Sequence, residues 1–254
     1  IPHTGTEVPA DLARRFASEK VAKLPDTDWH LDDLYAFAPR LGARTLYARY
    51  SRYVVDLNRA PDFATLYPGR YETTLVPTRT FSGDPIYRGG DEPDDAEIAR
   101  RREAYWTPYH ARRARELADL KNKQGYALLW DAHSILSRVP LMFDGHLPEL
   151  VLGDADETTA DPSLSSSIVA TLQASGYALA HNRPFRGGYL TRAYGKPAEH
   201  VHALQLEMSQ DIYMNEDPPF EYHPERAQKL AYALTGALTA FVNAAGRLGH
   251  SSDV

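Results

Sequence analysis

Short apolar runs of strand length recur along the chain, each closed by polar residues: Thr45-Leu46-Tyr47-Ala48, Val54-Val55, Tyr126-Ala127-Leu128-Leu129-Trp130, Tyr177-Ala178-Leu179-Ala180 and Ala203-Leu204-Gln205-Leu206. Between them the spacing predicts helices over Asp32 to Leu41, Ala96 to Lys123, Pro162 to Ala174 and Pro224 to Leu248, with Pro108 kinking or dividing the long charged one. Strands alternating with helices indicate an α/β fold: a mixed, largely parallel central sheet with helices on both faces. In such sheets ligands gather beyond the strand carboxyl ends, where these polar closures fall. From Pro61 to Pro93 the chain is rich in Pro, Gly, Tyr and Thr and carries no helical period. It reads as a long loop excursion over the sheet edge, either a plain cover or the wall of a binding site.

At 254 residues the chain reads as a single domain, residues 1–254. A formal charge of −6 gives no electrostatic footprint for nucleic acid, and the Arg100-Arg101-Arg102 run has acids nearby. No apolar run is long enough to span a bilayer and none resembles a secretory segment, so a soluble, cytoplasmic protein with no membrane partner is expected. The absence of cysteine excludes disulfides and thiolate ligands, leaving His, Asp and Glu to hold any metal. Ile1-Pro2-His3 reads as the end of a first strand.

The most pointed chemistry lies in Ser51-Arg52-Tyr53-Val54-Val55-Asp56-Leu57-Asn58-Arg59. Guanidinium forks at both ends of an apolar run suit bidentate capture of carboxylates or stabilisation of a developing oxyanion, and equally suit structural ion pairs with Asp56. A small anionic substrate follows from the first reading. Trp130-Asp131-Ala132-His133-Ser134 closes an apolar strand with an imidazole, and Pro2-His3-Thr4-Gly5 does the same near the start. Two such histidines and one carboxylate make a three-ligand zinc site with a position left for water. The carboxylate is Glu7, four residues after His3, or Asp26 or Asp28 in Pro25-Asp26-Thr27-Asp28-Trp29-His30. Either aspartate also suits the N-cap of the helix that follows. Gln205-Leu206-Glu207 ends the last strand in an acid with no basic neighbour in sequence, a candidate general base once desolvated. The glycines of Arg186-Gly187-Gly188-Tyr189 permit close backbone approach, and Arg192 after them is a further carboxylate clamp or a surface ion pair. Of the remaining histidines, His30 and His202 flank the candidate residues and are the natural supports for metal ligands. His110 and His200 read as packing residues.

Taken together, Pro2-His3-Thr4-Gly5, Asp26-Thr27-Asp28-Trp29, Ser51 to Arg59, Asp131-Ala132-His133-Ser134, Thr191-Arg192 and Gln205-Leu206-Glu207 resemble the N-formylglutamate amidohydrolases almost end to end. More distantly the order of motifs is similar to that of zinc carboxypeptidases and aspartoacylases. The resemblance implies a zinc-exopeptidase-like fold and metal-dependent hydrolysis of N-formyl-L-glutamate to glutamate and formate, in bacterial histidine breakdown. It implies zinc, or another divalent transition metal, on His3, Asp28 and His133, with Glu207 as general base. Arg52 would stabilise the oxyanion, and Asn58, Arg59 and Arg192 would hold the substrate carboxylates. The distant relatives place their zinc glutamate three residues after the first histidine, whereas Glu7 lies four after His3, which favours Asp28. An aspartoacylase-like or succinylglutamate-type acyl preference, or a non-catalytic carboxylate-binding protein on the same scaffold, are the competing readings.

Overall fold

The computed structural model describes residues 1–66, 69 and 71–250. Tyr67, Pro68 and Arg70 of the expected excursion therefore lie outside the described residues. Three one-turn helices open the chain, α1 (Ala10–Ala13), α2 (Glu19–Ala22) and α3 (Leu31–Leu34). After the irregular stretch come α4 (Asp95–Arg101) and α5 (Thr107–Gln124), joined by a π-turn over Arg102–Trp106. Then follow β1 (Ala127–Ile135), β2 (Leu150–Gly153), α6 (Pro162–Ala174), β3 (Leu179–His181), α7 (Tyr189–Tyr194), β4 (Val201–Ser209) and α8 (Pro224–His250).

Among the described residues the strands form one four-stranded sheet in the order β1-β4-β2-β3. The β1–β4 and β2–β3 pairs are parallel and β2–β4 is antiparallel, so the sheet is mixed and largely parallel, as expected. Side chains alternate across a strand, and the alternation here separates two chemistries. Ala132, Leu150, Leu152, Leu204, Leu206 and Met208 point to one face and pack on Leu164, Ile168 and Leu172 of α6 and Leu230, Leu234 and Phe241 of α8. The intervening residues, Asp131, His133, Gln205 and Glu207, fall on the other face. The register sets Asp131 beside Gln205 and His133 beside Glu207. That second face is shared by α5, α7 and irregular chain.

Several sequence expectations change. Val54-Val55 is not a strand: the Ser51 hydroxyl accepts from Tyr53 N–H, the Asp56 carboxylate from Asn58 N–H, and Val54 N–H closes a turn on Ser51 O. These local side-chain bonds outcompete a ladder, and the two valines serve as buried filler. Neither Thr45–Ala48 nor Ile1–His3 forms a strand, although Ala48 N–H bonds Ile1 O and Glu7 bridges Tyr50. The predicted Asp32–Leu41 helix is split into α3 and a 3-10 turn over Ala38–Leu41. β1 and β4 run to Ile135 and Ser209, beyond their apolar cores, so that His133 and Glu207 lie within strands. β2 was not expected from the sequence. Buried at every position, it shows no alternation to detect.

The long charged helix is interrupted over Arg102–Trp106, just ahead of Pro108, the division expected of that proline. Proline cannot donate to the carbonyl of Ala104, and the helix widens so that Thr107 N–H reaches Arg102 O. No helix among the described residues is long and apolar enough to cross a membrane. Leu206→Ala, on the apolar face one residue from Glu207, should lower unfolding free energy by about 2–5 kcal/mol in chemical denaturation. A loss below about 1 kcal/mol would show that this face is not the packed core.

Candidate active site

His3, Asp28 and His133 are all buried, and each offers a ligand atom within 4.8 Å of the others. They converge by separate routes. Asp28 N–H bonds His3 O, tying residues 1–4 to the turn before α3. Ser134 N–H then donates to Asp28 Oδ2, fixing that turn to β1. Gly5 makes this possible, since a Cβ there would lie 2.4 Å from Tyr50 O.

Both imidazoles turn Nδ1 toward Asp28 Oδ2, at 3.7 Å for His3 and 3.3 Å for His133. Both turn Nε2 toward a second carboxylate, Asp56 at 2.8 Å behind His3 and Asp131 at 3.1 Å behind His133. A carboxylate on the far nitrogen fixes the ring and its tautomer and leaves the near nitrogen as a lone-pair donor, the arrangement that serves a metal. Burial works against ionisation of Asp28, but His133 and His3 outweigh it and hold the group below the usual carboxylate range. Burial also opposes a charge on His133, yet Asp131 and Asp28 lift it to about 10, so without a metal the ring keeps a second proton that a bound cation would displace. The buried Asp28 Oδ1 accepts no hydrogen bond. Two imidazoles and a carboxylate with an oxygen free of hydrogen bonds fit a divalent cation.

The other acids proposed from sequence sit elsewhere. Glu7 has a side chain 51% exposed and pairs with Arg49 at 2.8 Å. Asp26 accepts from Tyr53 Oη at 2.8 Å and Phe81 N–H at 2.9 Å, and burial raises it to about 6. Neither aspartate caps α3, whose N-cap is His30 with no side-chain capping bond. Nor do His30 and His202 support the ligands, as the sequence suggested. His30 Nε2 bonds Phe220 O, and His202 Nδ1 accepts from Asp161 N–H. Asp56 and Asp131 take that place; Asp131 lies two residues from its ring on the same strand face, whereas Asp56 and His3 are joined only by the fold.

A solvent-open cavity carries the group on its wall together with Arg52, Asn58, Arg59, Gln205 and Glu207. Tyr71, Glu72, Phe81, Met142 and Phe185 form further wall, so part of the 61–93 stretch does line the site. Burial pushes Glu207 up to about 8, with the charges of His133 and Arg52 opposing and Asp28 assisting. Gln205 Oε1 accepts from Gly188 N–H at 2.6 Å, which leaves its amide nitrogen 3.3 Å from Glu207 Oε2. Gly188 presses so closely on Asn58 that a Cβ would lie 2.3 Å from Nδ2, and Asn58 Oδ1 accepts from Leu190 N–H.

The arginines divide in use. Arg52 pairs with Asp56 at 2.8 Å, donates to Asp26 O at 3.2 Å and covers the Phe81 ring, while its Nε has no partner. Arg59 is bound through Thr73 and lines the cavity. Arg192 is not brought to the cavity wall: its Nε donates to Gly187 O beneath the Gly188 turn. Arg186 pairs with exposed Asp156.

A family model for N-formylglutamate amidohydrolase matches residues 1–214. The chain is 44% identical over 243 residues to an N-formylglutamate deformylase of Pseudomonas putida, covering 95% of this chain and 90% of the relative. It is 48% identical over 229 residues to one of Pseudomonas aeruginosa, covering 90% and 85%. The fold superposes with TM-score 0.81 on the crystal structure of an N-formylglutamate amidohydrolase from Ralstonia eutropha JMP134, at 28% identity, covering 96% of this chain and 91% of that one. With a buried pair of carboxylate-backed imidazoles facing one aspartate, and with matches over most of its length, the chain belongs to the N-formylglutamate amidohydrolase family.

Proposed function

We propose that this chain hydrolyses N-formyl-L-glutamate to L-glutamate and formate with the help of one divalent metal, zinc being the best match to two imidazoles and a carboxylate. The observation that carries the reading is the placement of Glu207 and Arg59 on the wall of one cavity with the His3, Asp28 and His133 group. The deformylase names of the Pseudomonas relatives supply the acyl group and the amino acid. Zinc bound by His3, Asp28 and His133 would supply Lewis acidity, lowering the pKa of a water from ~15.7 toward ~7 and polarising the formyl carbonyl.

The remaining steps belong to the chain. Glu207, desolvated and next to His133 in register, takes a proton from the attacking water and returns it to the leaving amine nitrogen. Asn58 and Arg59 hold a substrate carboxylate, which fixes the formyl carbon against the water. Arg52 meets the developing oxyanion, an interaction typically worth about 3–4 kcal/mol. It also keeps Asp56 ionised behind His3. Arg192 acts at one remove, holding the turn that sets Gly188 against Asn58.

Purified protein should contain about one equivalent of transition metal, lose turnover of N-formylglutamate on chelation and regain it with zinc. His133→Ala should lose metal and activity together, and stoichiometric metal in that variant would remove His133 from the ligand set. Glu207→Gln should keep its metal while kcat falls by about 10²–10⁴-fold. Near-normal turnover there would assign proton transfer to another group. Arg59→Ala should raise KM about 10- to 100-fold with kcat little changed, because it removes binding common to ground and transition states. Faster turnover of N-acetyl- or N-succinylglutamate than of the formyl compound would overturn the acyl assignment.

A further inference from the structure

The geometry points to Trp106 and His110 as positioning residues that clamp the backbone on either side of Asn58 and thereby set where Asn58 and Arg59 meet the substrate. This inference rests on the carboxylate-binding role proposed above for those two residues. Trp106 Nε1 donates to Arg59 O at 3.0 Å, and His110 Nε2 bonds Leu57 O at 3.0 Å. The carbonyl between them, that of Asn58, is taken by the Arg59 guanidinium at 3.2 Å. Asn58 N–H goes to Asp56 Oδ1 and Arg59 N–H to Asp56 O. The backbone donors and acceptors of Asn58 and Arg59 are thus all engaged, and two of the carbonyls of the Leu57–Arg59 stretch depend on one helical element.

That element is built for the purpose. Trp106 and His110 are four residues apart and stack with ring centroids 3.6 Å apart and planes at 18°, so the two donors belong to one rigid block. Burial, with Arg113 alongside, pushes His110 down to about 3. The ring is therefore neutral and carries a single N–H. Leu57 O can only accept, so that hydrogen sits on Nε2, and Nδ1 accepts from Tyr194 Oη at 2.9 Å. The π-turn ends at Trp106, and the extra residue it inserts into the helix rotates the indole relative to a regular helix. Tyr189, at the start of α7, packs on both rings at 5.9 and 5.7 Å. The next residue, Leu190, supplies the N–H that holds the Asn58 side chain. One aromatic block therefore braces Asn58 through its backbone and, by way of α7, through its amide.

Trp106→Phe keeps the ring and removes the donor. It should raise KM for N-formylglutamate about tenfold and leave kcat within about twofold, and in an Arg59→Ala background it should add no further loss, because both act through one contact. Amide hydrogen exchange should accelerate at Asn58 and Arg59 in the same variant. A KM equal to wild type, full multiplication of the two effects, or unchanged exchange would overturn the clamp. Should wild-type protein fail to hydrolyse N-formylglutamate, the proposed function falls, and the exchange measurement still decides the clamp: acceleration at those two amides upholds it, and unchanged rates overturn it.

Discussion

An aspartate only 1% exposed to water can stay ionised only if something positive or hydrogen-donating replaces its hydration. Asp28 is that group here, and much of the molecule is arranged around it. Residues 1–4 are tied to it by backbone, β1 by the Ser134 N–H, and both imidazoles turn one nitrogen toward the same oxygen. Asp56 and Asp131 stand behind those imidazoles, and Arg52 balances Asp56 and lies 3.6 Å from Asp28 Oδ1. Removing any one buried partner leaves an uncompensated charge, which typically costs about 3–5 kcal/mol. The same surplus of buried carboxylate makes the site a receptacle for a cation.

The sheet turns this electrostatic demand into geometry. Period-two alternation sends Leu204, Leu206 and Met208 to the helices and Gln205 and Glu207 to the cavity, while Ala132 and His133 divide in the same way. A one-residue slip of β4 would exchange Glu207 for Leu206 at the cavity wall and bury an acid against α8. The large core formed with α6 and α8 therefore fixes the register on which the chemistry depends.

How much of this was legible in the sequence follows from how local each signal is. The alternation in Trp130-Asp131-Ala132-His133 and in Leu204-Gln205-Leu206-Glu207 is written in consecutive residues, and α6 and α8 announce themselves by their spacing, so the sheet's centre and its helical cover were readable. The Ser51–Arg59 stretch offered the right residue types in the wrong local structure, because the bonds from Ser51 and Asp56 to nearby N–H groups cannot be told from strand-end polarity by pattern alone. Choosing among Glu7, Asp26 and Asp28 required knowing which acid meets two rings from distant parts of the chain; Asp28 and His133 are 105 residues apart. Asp131 behind His133 is written in that same alternation, two residues away on one strand face, whereas Asp56 behind His3 and the indole and imidazole on the Leu57–Arg59 backbone left no sequence signature, since each looks like an ordinary packing residue until the fold closes.

Such a site calls for one divalent ion shared by the carboxylate of Asp28 and the Nδ1 atoms of His3 and His133. Anomalous diffraction from crystals of the zinc-loaded protein, collected on either side of the zinc absorption edge, would locate that ion. A single strong peak in contact with those three groups and facing Glu207 is expected. A peak at Glu7 or Asp26, or none at the His3, Asp28 and His133 group, would rule this ligand set out.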